Sequence, residues 1–409
     1  MAKTGQVSTA KVDWRAAARL RKGHVWVYRS DLLKAPPADP GSLVLLEDER
    51  GKRLGTALYS SASVIALRLI SSDAVTEEKL PALVRARLEA ARAYREQVVR
   101  ESDAFRVVFS EADALPGLII DRYNDVVAFQ VLTQAWDRAG LRGVVLDWMA
   151  DALKPRAIVE RVDARIRQLE KLPPREGGVV WPNSPAAAAG APPRTVFHMN
   201  NLAFEYVAGE GQKTGAFLDQ RENYAAAERH SRGEALDVFC YQGGFALHLG
   251  RRCEHVTAVD SSRPALEAAE RNEKLNAGAL RVKEMEWIEA NAFDLLKDYA
   301  RAGKSYDTIV LDPPAFARNL KSVPRALRGY KEINLRALKM LRPGGVLVTC
   351  SCSHHVSESD FLHMLTSAAE DARRRVCLLE HRGAAPDHPS ILQVPETSYL
   401  KCVVVAVSR

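Results

Sequence analysis

The chain has 409 residues, 47% of them hydrophobic and 27% charged, with a formal net charge of +7. That length exceeds one ordinary hydrophobic core and predicts two or three globular domains. No apolar run reaches the roughly 18 residues of a membrane-spanning helix, and the first residues lack the apolar stretch of a secretory signal. Cys240, Cys253, Cys350, Cys352, Cys377 and Cys402 form no C-x-x-C pair. Neither a disulfide framework nor a metal site is expected, and a reducing cytoplasm fits best.

Residues 1–74 read as a first domain of short strands. The run 42–48, the Arg50-Gly51-Lys52 turn and the run 53–60 predict a hairpin, and 64–70 adds a strand. Short strands in a small unit predict a compact β-barrel. The stretch is basic, with Lys3, Lys11, Arg15, Arg19, Arg21, Lys22, Arg29 and Lys34 against Asp13 and Asp31. That distribution suits a polyanion or a plain solvated surface.

Residues 75–195 read as a central α+β domain. Over 77–100, Leu80, Val84, Leu88 and Ala91 recur at helical spacing, and Tyr94 and Val98 continue the stripe. Arg85, Arg87, Arg92 and Arg95 are expected on its solvated face. Strands with a Leu-Pro-Gly turn follow over 105–133, then a helix over 141–153 and a strand at 157–162. The Pro/Ala/Gly-rich 171–194 reads as a surface loop.

Residues 196–409 alternate strand and helix. Strands are expected at 235–240, 255–260, 285–290, 306–312, 344–352 and 399–407, and helices at 221–231, 245–252, 264–276, 326–341 and 357–374. The alternation predicts an α/β, doubly wound, mostly parallel Rossmann-like sheet, with its ligand outside the carboxyl ends of the strands.

The strand tips carry the chemistry. After Asp237, the turn Val238-Phe239-Cys240-Tyr241-Gln242-Gly243-Gly244 opens a helix. Glycine lets backbone approach a ligand, and the lack of G-x-G-x-x-G disfavours NAD or FAD. Asp260, followed by Ser261 and Ser262, can accept from a ribose diol, with a helix cap as the ordinary alternative. Asn291 is placed to meet adenine, with an ordinary role for a polar loop residue as the alternative. In Asp312-Pro313-Pro314 the prolines fix the backbone and hold the acid toward the cleft. Cys350 and Cys352 share one face of a strand, with Cys352 nearer the tip; free cysteine is usually buried structure.

In order, Gly211 to Arg221 (G-Q-K-T-G-A-F-L-D-Q-R), the D-V-F-C-Y-Q-G-G-F turn, V-D-S-S, D-P-P, Arg328 to Asn334 (R-G-Y-K-E-I-N) and C-S-C-S resemble the large-subunit (23S) ribosomal RNA cytosine-C5 methyltransferases. Gly23 to Tyr28, Asp113 to Arg122, Asp387 to Pro389 and Tyr399 to Lys401 are similar too, so the resemblance covers nearly the whole chain. It implies an N-terminal RNA-binding PUA domain, a central α+β domain and a class I methyltransferase domain that uses S-adenosyl-L-methionine. It implies cofactor contacts from Asp237, Phe239, Tyr241, Gly243, Gly244, Asp260, Ser261, Asn291, Asp312 and Pro313. It implies substrate contacts from Lys213, Gln220, Arg221, Pro314 and Phe316, with Arg221 equally readable as an ion pair. Large-subunit ribosomal RNA is the implied partner; a homodimer is left open.

The resemblance also implies a nucleophile. Carbon 5 of cytosine attacks a sulfonium poorly unaided. Addition of the Cys352 thiolate to carbon 6 makes carbon 5 enamine-like; after methyl transfer a base takes the carbon-5 proton and the thiolate leaves. Asp312 would hydrogen-bond the base. At a thiol pKa of about 8.5, only a small fraction is thiolate at neutral pH. No second cysteine follows Asp312-Pro313-Pro314-Ala315, so the proton acceptor is open. Ala315 also separates Phe316 from the motif, unlike amine-methylating enzymes in which an aromatic follows directly. Two rivals stand: methylation of a guanine or adenine amine, and an RNA-binding assembly protein without turnover.

Overall fold

The computed structural model describes residues 7–182, 191–211, 214–317 and 319–408. Two compact units emerge. The first holds the described residues up to Val196, together with Tyr206–Ala216 and Pro386–Thr397; the second holds Phe197–Glu205, Phe217–Ala385 and Ser398 onward.

In the first unit, the expected hairpin pairs Leu43–Asp48 with Arg53–Tyr59. Its turn closes because Asp48 Oδ1 accepts the Arg50 and Lys52 amides at 3.0 and 2.9 Å while Gly51 takes φ 80°. Ser8–Val12, Leu43–Asp48, Arg53–Tyr59, Ile65–Ser71 and Trp26–Tyr28 lie in that order in one sheet. A helix that periodicity did not suggest, Trp14–Arg21, packs Ala16, Ala17 and Leu20 inward and is capped by Asp13.

The helix Leu80–Val98 buries Leu80, Val84, Leu88 and Ala91, as the stripe predicts. Its continuation differs from the expectation: Arg95, not Tyr94, fills the next inward position and is fully buried. Its guanidinium donates to the carbonyls of Arg106 and Asp387 at 3.0 and 2.9 Å and to Asp113. The helix shares an apolar cluster with a second sheet. That sheet runs Gly178–Trp181, Ala157–Glu160, Val126–Val131, Leu118–Tyr123, Ala104–Phe109. The expected 171–194 loop therefore contains a strand, and 183–190 lie outside the described residues. Buried Asp121 accepts two bonds from Arg106 at 2.8 Å and a third from Thr214.

The second unit carries the predicted doubly wound sheet. Strands Glu284–Glu289, His255–Asp260, Glu234–Val238, Tyr306–Leu311, Leu341–Ser351, Lys401–Val407 and Val376–Arg382 lie side by side in that order. Lys401–Val407 inserts antiparallel between its neighbours. The edge strand Val376–Arg382 and the helix Ala292–Arg301 were not anticipated. The central strands are apolar on both faces because helices cover both, and the core gathers around Leu236, Ile309, Leu347, Ile333 and Phe361. Among the described residues no helix is long and apolar enough to cross a membrane.

Candidate active site

The parallel strands of the second unit deliver the expected tips to one edge. Asp237, on the central strand, is fully buried, and neither carboxylate oxygen has a hydrogen bond of good geometry; the Ala246 amide approaches it only loosely. Burial holds its pKa well above the ordinary carboxylate range, the charge of Asp312 adds to the rise, and the Ala246 amide opposes it. A carboxylate held this way is costly unless a donor or a positive charge arrives. It suits a cationic ligand.

The turn beyond it is strained. Phe239 and Tyr241 adopt left-handed backbone at φ 70° and 49°, and Gly243 at 85°. Neighbouring bonds enforce this. The Phe239 and Cys240 amides both donate to the Val259 carbonyl at 2.8 and 3.0 Å, and the Tyr241 amide donates to Asp260 Oδ2 at 2.9 Å. A Cβ on Gly243 would lie 2.9 Å from the Trp287 ring, and one on Gly244 2.5 Å from the Tyr224 ring. Protein side chains, as well as backbone freedom, therefore demand these glycines.

Asp260 Oδ1 accepts from the Ser262 amide at 2.9 Å. Ser262, not Asp260, caps the helix Arg263–Leu275, and Ser261 is exposed. Asn291 is given the ordinary role: its Oδ1 accepts the Phe293 and Asp294 amides at 2.9 and 3.3 Å and caps Ala292–Arg301.

Asp312 is held by a relay. Gln220 Nε2 donates to its Oδ1 at 2.9 Å, Asn223 Nδ2 donates to Gln220 Oε1 at 2.7 Å, and Arg382 Nε donates to Asn223 Oδ1 at 3.0 Å. Each bond fixes the orientation of the next amide. Arg221 is fully buried with Glu222 3.5 Å away, which is the ion-pair alternative. Lys213 lies outside the described residues. Pro313 is buried and Pro314 exposed. Phe316 packs on Tyr330 and Phe293 with ring centroids 4.5 and 5.8 Å apart.

Cys352 falls just past the strand Leu341–Ser351, so alternation along the strand stops one residue short of it. It is partly exposed, with Sγ 4.0 Å from the Pro313 carbonyl. Cys350 is fully buried, and burial followed by the neighbouring Cys402 pushes its thiol well up. Burial does the same to Cys240. Such thiols are inert. The segment after Cys352 is pinned. The Tyr330 hydroxyl lies 3.0 and 2.9 Å from the hydroxyls of Ser351 and Ser353. Lys401 Nζ donates to the carbonyls of Ser353 and Val356 at 2.8 and 2.9 Å. Sequence reasoning missed Asn223, Tyr330 and Lys401 as individuals, although the last two lie inside quoted motifs. Among the described residues no group of three or more His, Cys, Asp or Glu could hold a metal ion.

Residues 11–72 match the PUA-like domain family, and residues 184–403 match the S-adenosylmethionine-dependent methyltransferase family. The chain is 36% identical to the ribosomal RNA large subunit methyltransferase I of Pseudoalteromonas translucida, covering 95% of this chain and 96% of that one. Against the protein of the same name from Klebsiella pneumoniae strain 342, identity is 34%, covering 93% and 94%. A solved chain from Streptococcus mutans, assigned to the S-adenosylmethionine-dependent methyltransferases, shares the fold at TM-score 0.81 and 18% identity, covering 98% of this chain and all of that one. The buried acid, the strained glycine turn and this likeness agree: the chain belongs to the ribosomal RNA large subunit methyltransferase I family and is an S-adenosylmethionine-dependent methyltransferase.

Proposed function

We propose that the chain forms 5-methylcytosine in large-subunit ribosomal RNA, with Cys352 as covalent nucleophile. The relatives' name supplies the substrate class. One observation carries the chemistry: Cys352 is partly open beside the D-P-P motif, where Cys240, Cys350 and Cys402 are buried.

S-adenosylmethionine supplies an activated methyl group. Asp260 would accept from its ribose hydroxyls, and Asp237 would offset its positive charge. Cys352 Sγ, as thiolate, would bond carbon 6 and push the pair of the 5,6 double bond to carbon 5; the methyl would come from the sulfonium, whose S–CH3 bond breaks and whose sulfur leaves as a neutral thioether. Loss of the carbon-5 proton to a base re-forms the double bond between carbons 5 and 6 and expels the Cys352 thiolate. Asp312, held by Gln220, hydrogen-bonds the base at its ring nitrogen or amino group.

Nucleoside mass spectrometry tests this on ribosomal RNA from a strain lacking the protein, rescued by wild type or by Cys352→Ala. Loss of 5-methylcytidine, restored by wild type alone, is expected. Loss of a different methylated nucleoside would move the target to another base atom. No loss at all would favour an assembly role.

A further inference from the structure

Lys401 is a buried ammonium, 7% exposed, on the strand beside Cys352. Its register partner is Ser351, the residue before the cysteine. Its Nζ donates to the carbonyls of Ser353 and Val356, so it straps down the segment that leaves Cys352. Among the described residues no carboxylate lies within ion-pair distance of it. A buried cation without a carboxylate partner is an expensive group. Two carbonyl oxygens accept two of its three N–H bonds and carry no net charge to balance it.

We propose that Lys401 is the counter-ion of the Cys352 thiolate: it fixes the post-strand segment and stabilises the ionised sulfur, making Cys352 reactive at neutral pH. This rests on the reading of Cys352 as nucleophile.

The surrounding charges agree with this assignment. Burial pushes Lys401 down to about 8; of the groups that pull it back up, Cys352 comes first and Glu358 second. The lysine therefore stays mostly protonated at neutral pH, when the thiolate needs it. Carboxylates and a phenol also stand near this segment. Asp312 precedes Pro313, whose carbonyl touches Sγ. Glu358 acts from the helix Glu358–Asp371. Tyr330 is held above its ordinary pKa, chiefly by burial and in part by Cys352 itself. His354 and His355 follow on an exposed stretch. Among these groups, Lys401 is a buried cation whose charge favours ionisation at this sulfur. A cation near a thiol lowers its pKa, as at other reactive cysteines.

The test is the pH dependence of Cys352 alkylation by iodoacetamide in the full-length protein, read by peptide mass mapping. In wild type the midpoint should fall below the ordinary thiol value of about 8.5. Lys401→Met should raise it by about one unit, so that alkylation at neutral pH slows about tenfold. Lys401→Arg should keep most of the wild-type profile. A wild-type midpoint at or above the ordinary value overturns the proposal without any variant. So does an unshifted midpoint in a folded Lys401→Met protein. Alkylation reports the thiolate whether or not methyl transfer uses it. Full methylation by Cys352→Ala would thus sink the nucleophile reading separately.

Discussion

A single buried imidazole should make the catalytic unit acid-labile. His248 is fully buried, its Nδ1 2.7 Å from the Gly244 carbonyl and its Nε2 3.0 Å from Asn200 Nδ2. Nδ1–H therefore donates to Gly244, while Nε2 accepts from the amide, which requires a neutral ring. Burial pushes its pKa down to about 3, against the pull of the Gly244 carbonyl and with help from Arg251. In the unfolded chain the same ring titrates near 6.5. Below that value the unfolded state takes up a proton that the native state refuses. The stabilisation is complete above about pH 6.5 and is lost as pH falls toward 3. At about 1.4 kcal/mol per unit, this group alone accounts for about 2 kcal/mol by pH 5 and about 4 kcal/mol by pH 3. Urea unfolding of wild type and His248→Gln, followed by fluorescence between about pH 7 and pH 5, isolates the term. The gap between the two proteins should shrink by about 2 kcal/mol over that interval. A constant gap would refute a neutral, proton-excluding ring.

Two further outcomes follow from packing. Gly244→Ala places a methyl 2.5 Å from the Tyr224 ring; calorimetry should show S-adenosylmethionine affinity down by about tenfold or more, partly recovered when Tyr224→Leu is added, and unchanged affinity would show that the turn tolerates the displacement. Arg95→Met removes the guanidinium from Asp113 and from two carbonyls, and should cost about 3–5 kcal/mol in thermal or urea unfolding of the full chain; a loss below about 1 kcal/mol would mean that those groups find other partners.

Where the sequence proved legible, the signal was local. Apolar strands ending in Asp237, Asp260 and Asp312 are written in runs of neighbouring residues, and the sheet follows from their alternation with helices. The hidden parts depend on distant partners. Val376–Arg382 is an edge strand whose residues are mostly exposed or half-exposed, so it lacks the apolar run of its neighbours. The hairpin around Asn200 and Asn201 turns on two left-handed asparagines, at φ 51° and 63°, within an otherwise unremarked stretch. Arg95 has the composition of a surface residue, and only the convergence of Asp113, Arg106 and Asp387 shows it to be interior. At the site, the resemblance singled out Gln220 but could not supply Asn223, which sets the direction of its amide. Asn291 shows a role the sequence could name only as the ordinary alternative: its Oδ1 caps the helix after it.

The two compact units are interleaved along the chain: residues 386–397 belong with the first unit, although the second begins near residue 197. During synthesis, the guanidinium of Arg95 waits for a carbonyl 292 residues downstream. The N-terminal half therefore cannot finish its interior as it leaves the ribosome, as an ordinary leading domain does. The last segment of the first unit thus follows most of the second unit in the chain. A ribosome stalled before codon 386 would leave the first unit without its last segment and the Arg95 guanidinium without the Asp387 carbonyl.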